Sequence, residues 1–242
     1  MEEKKTHRLI EKPQISVRFL ADYMAASDQT RRTVLRGCKY RAIARLVQHD
    51  DAKLTVSKYI LGGSGNPQIL VAEADYIRNK LADDDFDRDC NDINADYVTR
   101  FASVAEGVEL PKDAQWVKAK QFPARDINGV RVTFVPNLLT RRVTKKNTVK
   151  VGGMMLRYKK GSKLPDETGA YQSSIMHGLL EVYGTASDEE VERTLCLTLD
   201  AQTGVMHPAP TNAVSRFNNT KAACATIAEA WDNIKAPPGA VI

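Results

Sequence analysis

Apolar residues recur at helical spacing over the first hundred positions and then, beyond Pro111, at every second position. Phe19, Leu20, Tyr23 and Met24 predict a helix after Ser16, and Ser27 or Asp28 can cap a second one carrying Val34 and Leu35. Ile43, Leu46 and Val47 predict a third helix with Arg41 and Arg45 on its outer face, and another runs from about Pro67 to Leu81. Phe86, Cys90, Ile93, Tyr97 and Phe101 recur every three or four residues, which predicts an amphipathic helix. Strands are then predicted over Trp116 to Lys120, Val130 to Arg142, Val149 to Lys159 and Arg193 to Leu199, with a short return through Val205 to Pro208. Between the third and fourth lies a helix from Pro165 to Tyr183 with the stripe Tyr171, Ile175 and Leu179, and a last helix spans about Lys221 to Ile234.

The order predicts an α/β protein of the α+β kind: a helical N-terminal region, 1–62, followed by a mixed β-sheet core flanked by helices, 67–242. The boundary falls at Gly62 to Pro67, the most flexible composition in the chain. Residues Met1 to Lys12 are polar and are expected to fray, with order beginning at Pro13. Gly152 and Gly153 lie inside a strand pattern and predict a bulge.

Charge changes the picture through its distribution, since a net charge of +5 is mild for 242 residues. Ten Lys or Arg and no acid lie between Asp126 and Asp166, and Gln29 to His49 is also free of acids. Such stretches suit an anionic partner, DNA or RNA first, through Arg141, Arg142, Lys145, Lys146, Arg157 and Lys159, the last two sharing a strand face. Arg31, Arg32, Arg36 and Arg41 extend that surface. Asp83 to Asp96 is acidic, so the charge pattern is bipolar. Asp85, Asp87 and Asp89 have calcium-loop spacing, but Cys90 stands where the loop needs glycine, and a dipole-complementing first helical turn explains the run better.

Cys38, Cys90, Cys196 and Cys224 form no C-x-x-C pair and read as free thiols, and neither a signal peptide nor a membrane span is visible, so a cytoplasmic protein is expected. His177 and His207 lack spaced partners for a metal site or triad and read as structural.

From Asp85 to Asp200 the order helix, strand, strand, strand, helix, strand resembles the core of the PD-(D/E)xK nuclease superfamily. The resemblance implies a metal-binding carboxylate near the end of the second core strand, and a (D/E)xK pair on the third. The corresponding positions read Val135, Pro136, Asn137 and then Arg157, Tyr158, Lys159, so the lysine is present and both acids are missing. Magnesium needs anionic oxygen ligands, which neither Asn137 nor Arg157 supplies. Gln172 is similar to the helix glutamine of RecB-like members, although a solvated side chain explains it as well.

The sequence therefore leads to non-catalytic nucleic-acid binding by a degenerate nuclease-like core that needs no cofactor. One alternative is a magnesium-dependent nuclease with rearranged acids, using Lys159 with Asp166, Glu167 or Asp200. Another is an interaction subunit that docks a protein partner or a second copy of itself.

Overall fold

The computed structural model describes residues 5–45, 48–183 and 189–242. In chain order they form β1 (His7–Leu9), β2 (Gln14–Ser16), α1 (Val17–Ala25), α2 (Asp28–Lys39), β3 (Tyr40–Ala42), α3 (Asp50–Leu61), α4 (Gln68–Arg78) and α5 (Asp85–Ala102). There follow β4 (Gln115–Lys118), β5 (Arg125–Ile127), β6 (Val130–Thr133), β7 (Leu138–Val143), β8 (Val149–Arg157), α6 (Asp166–Tyr183), β9 (Glu189–Asp200), β10 (Met206–Pro208) and α7 (Ala213–Ala230). The architecture is a mixed α/β fold, as the change of period predicts.

The central sheet has the order β10-β9-β8-β7-β4. All its neighbours are antiparallel except β8 and β9, which run parallel and are joined through α6. A parallel pair needs such a crossover, because a tight turn can only reverse the chain. Smaller sheets are β2-β6-β5 and β1-β3.

Alternation along β8 and β9 divides the core between two faces. Met155 and Cys196 join a cluster with Leu20 and Ala21 of α1, Leu35 of α2, Ile175 and Met176 of α6, and Phe217 and Ile227 of α7. Met154, Leu156, Leu197 and Leu199 join the other, with Val56 and Ile60 of α3, Leu70 of α4 and Phe101 of α5. Successive strand residues point to opposite faces, so neighbours in sequence serve different layers.

The stripe expected on α6 understates its burial, because Gln172, Ser173, Ser174 and His177 are buried as well. The helix is enclosed by α1, α7 and the sheet. Small residues permit this: a Cβ on Gly178 would lie 2.2 Å from the Phe217 ring of α7, and one on Gly169 would lie 2.4 Å from His207. The Ser173 hydroxyl donates to the His207 carbonyl at 2.7 Å and shares a 2.9 Å bond with Thr198.

Several local expectations are corrected. The stretch Val130 to Arg142 is two strands in different sheets, broken at Val135, Pro136 and Asn137, because proline cannot donate to a ladder. In place of the third helix, Tyr40–Ala42 pairs with His7–Leu9, Ile43 is exposed and the next helix starts at Asp50; Leu46 and Val47 lie outside the described residues. Residues 5–12 are not frayed: Thr6 and His7 donate their amides to the Val241 carbonyl at 2.9 and 3.0 Å. Lys39 is buried, and its ammonium donates to the carbonyls of Trp231 and Asp232 at 2.8 and 3.1 Å.

Cys38, Cys196 and Cys224 are buried free thiols, and Cys90 is half-buried. Burial pushes the Cys38 thiol up to about 11 and the Cys224 thiol up to about 12. No helix of the described residues is long and apolar enough to cross a membrane.

Burial also holds the His177 and His207 imidazoles below their ordinary pKa of 6.5, against weaker opposing effects of Glu181 and Asp166. The unfolded chain then binds more protons than the folded one as acidity rises. Their contribution to stability is complete above about pH 6.5 and is lost as pH falls through the lower folded values. Urea midpoints should therefore fall between pH 7.5 and pH 5.5, less so in a His177→Gln/His207→Gln variant; a wild-type midpoint that holds or rises would contradict this.

Candidate functional site

A cleft of about 510 Å³ opens where the sheet meets α1 and α3. One wall is the outer face of α3, where Lys53, Leu54, Ser57, Lys58 and Leu61 recur at helical spacing. The opposite side comprises Ser16, Val17 and Arg18 at the start of α1, with Thr133 and Val135 to Leu138 between β6 and β7. Lys118 of β4 and Met155 to Arg157 at the end of β8 complete the lining. Val135, beside Pro136 in the crossing from β6 to β7, is exposed in the cleft.

Five cations, Arg18, Lys53, Lys58, Lys118 and Arg157, line this space, against a single lining carboxylate among the described residues, Asp50. Arg157 has an 11% exposed side chain and is already matched: its guanidinium donates to Asp22 Oδ1 at 2.5 Å, to Gln172 Oε1 at 2.9 Å and to the Arg18 carbonyl at 3.2 Å. Gln172 is therefore fully buried beside the cleft, not solvated as its helical position suggested, and its Nε2 is without a protein partner among the described residues. Asn137 is also structural, its Oδ1 accepting from the Leu156 amide at 2.8 Å.

Arg18 differs from Arg157. Its guanidinium makes no ion pair or side-chain hydrogen bond among the described residues and lies 5.9 Å from the Phe19 ring centroid. Water reaches it through the cleft mouth, yet the crowding protein lowers its pKa, first by burial and then by the positive charge of Arg157. Lys53 is lowered by burial, and by Arg18 and Arg157, with Asp50 at 4.0 Å opposing. His49 is lowered by burial, then by Lys53 and Arg18. These groups repel one another in a partly desolvated space, an arrangement that an anion relieves.

The residues expected from sequence are distributed differently. Lys150 of β8 is held by Glu190 of the adjacent β9, while Arg142 of β7 reaches over β8 to Glu192 and Arg141 of β7 lies 3.7 Å from Glu189. The acid-free strands β7 and β8 are thus largely neutralised by the acids of β9. Lys145 and Lys146 sit exposed in the β7–β8 turn, and eight residue steps, roughly 25 Å of strand, separate that turn from Arg157. Arg157 ends β8, so Lys159 lies beyond the ladder, exposed, and does not share a strand face with it. Arg31 closes the end of α1 by donating to the Tyr23 and Met24 carbonyls at 3.0 and 3.3 Å, and neither it nor Arg32, Arg36 or Arg41 lines the cleft.

The alternative acids have separate local roles. Asp200 is buried and accepts from the Leu164 and Gln202 amides and the Thr203 hydroxyl. Glu167 pairs with Arg216 of α7, which holds its carboxyl below the usual range, and Asp166 is exposed 3.9 Å from His207. None of the three lines the cleft. The acidic run behaves as the predicted helix face: Asp84 caps α5, and Arg45, Arg78 and Lys160 bond to Asp84 and Asp87, Asp92 and Asp96, and Asp96.

Sequence reading missed Arg18, Lys53, Lys58 and Lys118, which come from three distant segments. The available signal was the α3 pattern Lys53, Leu54, Lys58, Leu61, which places leucines and lysines on one exposed face. No protein-family model matches the chain, and no curated protein matches it in sequence.

Proposed function

We propose that the protein binds a nucleic-acid strand in this cleft without cleaving it. The observation that carries the reading is the excess of positive charge: among the described residues Arg18, Lys53, Lys58 and Lys118 converge on one lining carboxylate, Asp50, 4.0 Å from Lys53, and Arg18 makes no side-chain hydrogen bond. Phosphate contacts of this kind give affinity that falls with salt and depends little on sequence. The proposed likeness to a degenerate nuclease core would put its emptied metal positions in this cleft. Asn137 and Arg157, aligned with the missing acids, line the same cleft, and Gln172 bonds to Arg157 beside it.

Fluorescence anisotropy with labelled DNA and RNA oligonucleotides, at low and moderate salt, tests this. Arg18→Glu/Lys53→Glu should weaken binding at least about tenfold and flatten the salt dependence, since each phosphate contact contributes roughly 0.7 to 0.9 to the slope. Reversal at Lys145 and Lys146 should cost less. Arg18→Ala should leave urea stability unchanged or slightly raised, because removing that charge relieves repulsion, while affinity falls. Absence of binding at low salt, indifference to the Arg18/Lys53 reversal, or magnesium-dependent cleavage of the oligonucleotides would each overturn the proposal.

A further inference from the structure

The cleft is not only cationic. Leu54, Leu61 and Val135 line it while remaining 51%, 39% and 76% exposed, which gives the cationic space a contiguous apolar wall. Lys53 and Lys58 alternate with the two leucines along α3, and Arg18 stands at the start of α1, whose N-terminal end carries partial positive charge and no acidic side chain in its first turn. A ligand that satisfies the whole lining must carry an anionic group and an uncharged, largely apolar face within a few ångströms of it.

Duplex nucleic acid does not meet that description at its surface, where phosphates are outermost and base faces are stacked inside. A nucleotide of a single strand does, because its base can be splayed away from the backbone. At about 510 Å³ the space is of the size of small-molecule sites, and it is too small to admit a double helix. We infer that the cleft takes a nucleotide unit of a single strand, with phosphate against Arg18 and Lys53 and the base against Leu54, Leu61 and Val135. The inference rests on the proposed nucleic-acid binding and narrows it to unpaired strands.

The side chains of the apolar wall are exposed, so they can be changed without opening the core. The test compares three labelled probes of equal length at one salt concentration: a single-stranded DNA, the same sequence as a duplex, and a strand whose central residues are abasic; the duplex carries twice the phosphates of either strand, so charge alone would favour it. The single strand should bind at least tenfold more tightly than the duplex, and the abasic strand should fall towards the duplex value. A Leu54→Ser/Val135→Ser variant should lose most of the preference while keeping the salt dependence. Equal affinity for single strand and duplex, or for abasic and intact strands, would overturn the inference if Arg18→Glu/Lys53→Glu still abolished binding, and would leave the broader reading standing. Failure of every probe to bind at low salt would remove both.

Discussion

Replacing Gly152 with alanine is expected to destabilise the fold by about 3 kcal/mol or more, the upper end of overpacking costs. The added methyl would lie 2.3 Å from the Leu195 carbonyl oxygen and 2.4 Å from its carbon. The obstacle is backbone of the adjacent parallel strand, which no rotamer change can move. At this point the register between the strands shifts: β8 advances from Val151 to Gly153 while β9 advances from Val191 to Cys196. The extra residues of β9 press against β8 where only glycine fits. Gly153 is a useful contrast, because its Cβ would meet the flexible Met176 sulfur and the Leu138 carbonyl, both at 3.2 Å. Urea unfolding should show a much larger loss for Gly152→Ala than for Gly153→Ala, and a Gly152→Ala loss below about 1 kcal/mol would show that the strands part easily.

Asp22→Ala should lower stability and raise anion affinity together. Removing the carboxylate leaves the Arg157 guanidinium, on an 11% exposed side chain, with only the Gln172 amide oxygen and the Arg18 carbonyl. Stranding one partner of such a pair costs about 3 kcal/mol. The same change adds an unmatched cation beside Arg18, so oligonucleotide binding should strengthen several-fold at low salt. Asp22→Asn keeps an acceptor and should lie between the two. Unaltered stability would mean that Arg157 relaxes outwards to water, and weaker binding would separate Arg157 from the cleft's charge.

The elements legible in the sequence are those whose packing follows a short period. The α5 residues Tyr97 and Phe101 and the β8 residues Met154 to Leu156 declare their faces because each is buried by its own spacing. Val130 to Arg142 misled because alternation continues across the break, and only Pro136 marks that the chain changes sheets. The charge pattern misled for a different reason. Nothing between Asp126 and Asp166 shows that Glu190 and Glu192 will be laid against Lys150 and Arg142, since that depends on the register of a strand some forty residues downstream. The cleft was illegible on the same ground, with Arg18, Lys53, Lys118 and Arg157 meeting through tertiary packing alone.

The contacts near the two ends of the sequence also govern when the fold can be completed. Strand β1 is tied to Val241, Lys39 closes the carbonyls of Trp231 and Asp232, and the Trp231 indole donates to the Ile10 carbonyl at 3.1 Å from within the core. A chain emerging from the ribosome therefore holds β1, α2 and their apolar faces in waiting until the last residues described here have been synthesised. Such long sequence separations slow the final docking step.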